Sequence, residues 1–214
     1  MGGHAYTSGM LTANEALERL KAGNARFVAG NSLRGNLSTA ARRLEVANRQ
    51  APFAVILGCS DSRAPAEIIF DKGLGDLFVI RIAGNIVAPS QVASVEFAVE
   101  LFGTRLVVVL GHTNCGAVNS AVDSLISPDK HHAPHLGSIV DRVSAAVTPV
   151  VNGREGMSRA ELIAAAGRAN VCASAQHLRS GSPIIERLIR EDGLMVVGAE
   201  YSLDTGVVDF FDGV

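Results

Sequence analysis

Three residues in this 214-residue chain carry the donor atoms of a soft metal site: Cys59, His112 and Cys115. Cys59 ends the run FAVILGC and is followed by Ser60-Asp61-Ser62-Arg63. His112 and Cys115 follow a second run, LVVVLG, as His112-Thr113-Asn114-Cys115-Gly116. Both sets come directly after a glycine that closes an apolar, strand-like run. The three-residue spacing of His112 and Cys115 lets one turn into the next helix aim both side chains at a point. Two thiolates and an imidazole form a tetrahedral Zn2+ site with one place left over. An open fourth place marks a catalytic zinc, because structural zinc has four protein ligands, and it implies activation of a water molecule. A cysteine after a strand is, taken alone, a small buried hydrophobe. The coincidence of the two sets at equivalent strand ends carries the metal reading.

Asp61 and Arg63 stand beside the first ligand. As a surface ion pair they would add little to stability. Beside a metal, an unrestrained carboxylate coordinates the ion, so a bidentate contact from Arg63 has a use: it holds Asp61 off, ionised and fixed in direction. Asp61 can then accept a proton from the metal-activated water and turn the oxygen lone pair toward substrate. Without that restraint Asp61 becomes the fourth ligand of a closed state.

These side chains need strands to carry them. Residues 53–57, 77–82, 106–110 and, more weakly, 194–199 are short runs rich in β-branched residues, as expected of strands buried on both faces of a parallel sheet. Helical patterns lie between them at 90–102, 117–126, 136–151, 158–179 and 182–191, the last opened by Ser182 with Pro183 at its first position. The alternation predicts an α/β fold: a central, mainly parallel sheet with helices on both faces. Residues 207–211 supply a C-terminal antiparallel edge strand. At the other end, 12–29 reads as a helix capped by Thr12 with Glu15 as capping-box partner, and 38–49 as a second. We expect one domain over 1–214, with an N-terminal helical arm at 1–50 and an α/β core at 51–214. In such sheets, ligands bind beyond the carboxyl ends of strands where strand order reverses.

Composition narrows the function. Hydrophobic residues make up 48% and charged residues 19%, with a formal net charge of −2 and no basic block, so neither nucleic acid nor an anionic membrane is the expected partner. No apolar run reaches the roughly 20 residues of a membrane span, and MGGHAYTSGM is no signal peptide, leaving cytoplasmic residence as the default. Three cysteines, an odd number, argue against a disulfide framework. Cys172 falls in a helical pattern as a packed small residue. His131, His132 and His135, in PDKHHAPH, read as solvated loop residues ahead of a proton shuttle or second metal site. The glycines of GLGDLF and GREG lack the spacing of a phosphate loop.

At CSDSR and HTNCG, with PAEIIFDKGLGDLFVIRIAGN between them, the sequence resembles the β-class carbonic anhydrases, and the likeness runs from near Ala13 to TGVVDFF. The resemblance implies reversible hydration of carbon dioxide to bicarbonate and a proton, with Cys59, His112 and Cys115 as zinc ligands and Asp61 and Arg63 as the catalytic pair. It implies that Gln50 and the backbone of Gly116 help bind substrate, and that Phe78, Ala83, Val87 and Phe97 line a narrow apolar pocket partly supplied by a second subunit. A homodimer or homotetramer follows, with the N-terminal helices gripping the partner. Two positions depart from relatives: Phe97 replaces a tyrosine, and Ile56 stands where one branch, with a regulatory bicarbonate site, has tryptophan. Hydrolysis of carbon disulfide or carbonyl sulfide on the same site is an alternative, and a non-catalytic zinc-binding or thiol-redox protein is another from a different class. Asp61, Arg63 and Gln50 argue against the last, since a metal store needs none of them.

Overall fold

The computed structural model describes residues 11–33, 35, 38–127 and 135–214. His131 and His132 lie outside the described residues.

The apolar runs form the strands β1 (Ala54–Gly58), β2 (Leu77–Arg81), β3 (Leu106–His112), β4 (Met195–Tyr201) and β5 (Val208–Asp212) of one sheet, in the order β2-β1-β3-β4-β5. The first four are parallel, and β5 returns antiparallel to β4. β1 and β3 are buried at every residue, which explains why their sequences show no polar alternation. β2, at the edge, is only half-buried. From β1 the chain moves to one side to form β2 and then crosses to the other to form β3. The carboxyl ends of β1 and β3 therefore flank the point where strand order reverses.

Helices cover both faces. They are α1 (Ala13–Val28), α2 (Ala40–Val46), α3 (Ala66–Ile69), α4 (Pro89–Leu101), α5 (Gly116–Ile126), α6 (Gly137–Asn152), α7 (Arg159–Ser180) and α8 (Pro183–Glu191). Period-two alternation divides the sheet residues: Ile56, Leu106, Val108 and Val197 pack with Leu17 and Leu20 of α1 and Ile69 of α3. Val55, Leu57, Val107 and Val109 face Val95 of α4, Val171 of α7 and Ile185 of α8. A third cluster, built by α5, α6 and the start of α7, includes Cys59 and Cys115.

The N-terminal helical segment divides in two. α1 begins at the Thr12–Glu15 capping box and packs onto its own sheet. Asn24 ties it down, donating from Nδ2 to the carbonyls of Ile69 (3.2 Å) and Gly206 (2.8 Å) and accepting at Oδ1 from the Val208 amide (2.9 Å). α2 buries none of its residues, and Leu44 on it is exposed. Two short elements had no periodicity to betray them: α3, and the 3-10 turn Ala83–Asn85 after β2.

Candidate metal centre

The site is assembled where the chain leaves β1 and where it turns from β3 into α5. Cys59 is the first residue past β1, His112 is the last residue of β3, and Cys115 caps the amino end of α5. β3 runs two residues further than its apolar pattern suggests, and pairing of His112 with Tyr201 of β4 makes the imidazole's backbone part of the sheet. Asn114 takes a left-handed conformation (φ 54°), which turns the chain so that Cys115 faces back toward Cys59. The three donor atoms lie within 4.8 Å of one another, and all three residues are buried.

The two sulfurs are 4.0 Å apart. That is about twice a disulfide bond length and close to the ~3.8 Å expected of two thiolates on one tetrahedral zinc. Nδ1 of His112 is 2.9 Å from the Thr113 carbonyl oxygen. A carbonyl can only accept, so Nδ1 carries the proton and Nε2 presents a lone pair. That Nε2 is buried and has no hydrogen-bond partner. An orphaned imidazole nitrogen facing two thiols is what a metal would satisfy.

Electrostatics point the same way. Hydrogen bonding from the Cys115 thiol, opposed by burial and aided by His112 and the Gly84 amide (3.3 Å), holds the Cys59 thiol well below its usual value. The Cys59 thiolate in turn pushes the Cys115 thiol up, because two adjacent anions cannot form in a buried site unaided. A divalent cation removes that conflict. The donor set fits Zn2+, with Cys59, His112 and Cys115 as its protein ligands.

Asp61 stands at the mouth of the site. Arg63 holds it by three bonds: its amide and Nε donate to Oδ1 (2.9 Å each), and Nη2 donates to Oδ2 (2.8 Å). The pairing with Arg63 keeps the carboxyl far below the usual carboxylate range, so it is ionised. Oδ2 lies 3.8 Å from Nε2 of His112.

The residues that fix this geometry were not singled out by sequence. Arg81, at the end of β2, clamps the Cys59–Asp61 loop by donating to the carbonyls of Cys59 (3.0 Å) and Asp61 (2.6 Å). Gly84 brings its amide to Cys59 Sγ with a left-handed backbone (φ 70°) that strains any side chain, and a Cβ would lie a tight 3.0 Å from that of Ala117. The one available signal was the glycine of AGN between a strand and a helix.

The expected pocket residues divide. Gly116 opens α5, where helical amides have no intrahelical acceptor, and it is exposed beside the ligands. Ala83 adjoins Gly84 at the site, and Val87 is buried and lines a recess of about 660 Å³ that none of Cys59, His112, Cys115 and Asp61 borders. Gln50, Phe78 and Phe97 are not brought to the metal centre of their own chain. Pro52 and Phe53 are bonded to Thr104 and Asp76, at the amino end of the sheet, and Gln50 is exposed just before them. Phe78 lies three residues, about 10 Å, before Arg81 along the edge strand. There it clusters with Phe97 and Phe102, with ring centres 5.6–6.1 Å apart, and Phe97 is 48% exposed. Cys172, half-buried in α7, takes no part in the site.

The carbonic anhydrase family model matches residues 54–208, a span that holds every ligand and the Asp61–Arg63 pair. Carbonic anhydrase 2 of Mycobacterium tuberculosis is 39% identical over 191 residues, 89% of each chain. The β-carbonic anhydrase CafA of Aspergillus fumigatus superposes with a TM-score of 0.73 at 25% identity, over 94% of this chain and 91% of that one. The chain belongs to the β-class carbonic anhydrases. The tetrameric β-carbonic anhydrases of Sordaria macrospora give a TM-score of 0.71 at 27% identity, covering 78% of this chain and 84% of theirs. Among the described residues, no helix of this carbonic anhydrase family member is long and apolar enough to cross a membrane.

Proposed function

We propose that the chain catalyses the reversible hydration of carbon dioxide to bicarbonate and a proton. One observation carries the reading: an unpartnered His112 Nε2 and two buried sulfurs converge within 4.8 Å beside a carboxylate pinned by an arginine. Cys59, His112 and Cys115 would hold a zinc ion, whose charge would acidify water and so supply a nucleophile. Two thiolates neutralise more of its charge than imidazoles would, which favours an alkaline activity optimum.

The chain's own groups do the rest. Asp61, kept anionic by Arg63, accepts a hydrogen bond from the nucleophile and turns its lone pair toward carbon dioxide. Arg81 fixes the loop that carries Asp61. The Gly116 amide, at a helix amino end, suits a developing anionic oxygen. Ala83 and Val87 offer apolar surface for a small apolar substrate.

The working unit is a homodimer or homotetramer. The aromatic cluster that Phe78 of the edge strand β2 forms with Phe97 of α4 and its C-cap Phe102 supports this, as do the tetrameric Sordaria relatives. A second copy is also what would let Gln50, Phe78 and Phe97 serve a metal centre. Cytoplasmic residence accords with three free thiols, two of them ligands that oxidation would disable.

Oxygen-isotope exchange between labelled carbon dioxide and water, followed by mass spectrometry, tests the activity. Zinc-loaded protein should deplete the label far faster than the metal-stripped form; equal rates would overturn the reading.

A further inference from the structure

The chain has three lysines, Lys21, Lys72 and Lys130, against a large excess of arginine. Lys21 is solvent-exposed and paired with Glu18 at 2.9 Å. Lys72 differs in every respect. It follows Asp71 in the loop between α3 and β2, and its stem runs along α1, with Cε 3.4 Å from where a Cβ on Gly23 would sit. Nζ is 5.5 Å from the centre of the Phe53 ring, and the Arg19 guanidinium is 5.8 Å from the same ring. Neither Lys72 nor Arg19 forms a salt bridge among the described residues. The nearest acids are already engaged: Asp71 by Arg26 (2.6 Å), and Asp76 by Arg42 and the Gly73 amide. Lys72 also borders a recess of about 290 Å³ shared with the exposed Glu67.

The half-buried ammonium has the Phe53 ring as its cation–π partner, shared with Arg19, and no salt bridge of its own among the described residues. Burial first, then the Arg26 charge and, more weakly, Arg19 lower the amine's pKa, against the opposing pull of Asp76 and Asp71. More of the amine is then neutral and nucleophilic near pH 7 than for an exposed lysine. An anion there would be attracted by Arg19 and Arg26 and repelled by Asp76 and Asp71, each of which is already held by an arginine.

We propose that Lys72 is a site of reversible carbamylation by carbon dioxide. The Nζ lone pair forms a bond to the carbon, one C=O electron pair moves onto oxygen, and the nitrogen releases one proton to solvent, leaving a carbamate. No oxidant or reductant is needed. The co-reactant is the substrate of the proposed reaction, but the modification depends on neither zinc nor hydration activity.

The test is covalent trapping. Zinc-loaded protein is equilibrated with carbon-13-labelled bicarbonate and carbon dioxide near neutral pH, quenched with a trialkyloxonium salt, and analysed by peptide mass spectrometry. The expected result is an alkoxycarbonyl label at Lys72, several-fold above that at Lys21 and absent from Lys72→Arg. Circular dichroism verifies that this variant is folded, and the N-terminal amine is read on its own peptide. Labelling of Lys72 no greater than that of Lys21 overturns the proposal. Because trapping reads the bond itself, this failure is distinct from a failure to hydrate carbon dioxide.

Discussion

Gly111 stands one residue before His112, and the close approach it permits predicts a coupled defect in stability and metal binding. A Cβ at this position would lie 2.5 Å from Cγ2 of Val171 on α7, where ordinary contact begins at 3.4 Å, so about 0.9 Å has to be found. Val171 is β-branched and 1% exposed, and it cannot rotate out of the way. The gap must come from parting β3 and α7. Overpacking of this kind costs about 1–3 kcal/mol, offset by roughly 0.4–1 kcal/mol from a less flexible unfolded chain. Displacing a ligand-bearing strand end by nearly 1 Å costs on the order of 100-fold in activity. Gly111→Ala should therefore unfold at lower urea and hydrate carbon dioxide slowly. Val171→Ala alone loses about 1.5–3 kcal/mol from the cavity it leaves. In the double variant the new methyl group occupies that cavity, so the two losses should fall short of additivity by at least about 1 kcal/mol. Urea melts of the four proteins, with zinc content measured on each, form the assay. Additive losses within about 0.5 kcal/mol, with full activity in Gly111→Ala, would refute the packing argument.

Asp71 is buried; desolvation raises its pKa, but bonds from Ser32, Arg26 and the Leu33 amide outweigh this and leave it lowered. Its stabilisation is thus complete above the unfolded value of about 4 and lost as pH falls through the folded one. Asp71→Asn, which tolerates the left-handed backbone there (φ 49°), should cost about 1–3 kcal/mol at neutral pH. Urea melts should show the difference shrinking in acid, and a constant gap would count against the linkage. Arg63→Ala releases Asp61 toward zinc, and activity should drop about 10- to 100-fold with zinc retained. Zinc-edge X-ray absorption should then report a carboxylate oxygen as fourth ligand; loss of zinc instead would show that Arg63 supports the site rather than restrains Asp61. Stripping zinc with a chelator should leave Cys59 and Cys115, 4.0 Å apart, open to oxidation. Mild oxidant should consume two of the three thiols in the stripped protein and none of those two in the loaded one, counted by a thiol reagent.

Local signals in the sequence were enough for most elements. The Thr12–Glu15 capping box and the Ser182 cap with Pro183 mark helix starts that the fold uses unchanged. Near-continuous β-branched runs announced strands buried on both faces, and glycine at their ends marked where Cys59 and His112 would emerge. Contacts between distant segments were not legible. The Asn24 bridge spans 184 residues to Val208, and the Arg81 clamp depends on β2 pairing with β1 in one register. α3, of four residues, and the 3-10 turn at Ala83–Asn85, of three, are about one helical turn each, too short for a pattern to repeat. Gln50, Phe78 and Phe97 were marked by family likeness alone, and pairing at the sheet's amino end and edge keeps them away from their own chain's ligands.

Stopped-flow hydration of carbon dioxide, with zinc assayed on the same sample, tests the central claim most directly. Wild-type protein should hold one zinc per chain and hydrate carbon dioxide rapidly, with Asp61→Ala retaining zinc and losing most of the rate. A folded, zinc-replete wild type with no hydration from neutral to alkaline pH would contradict it.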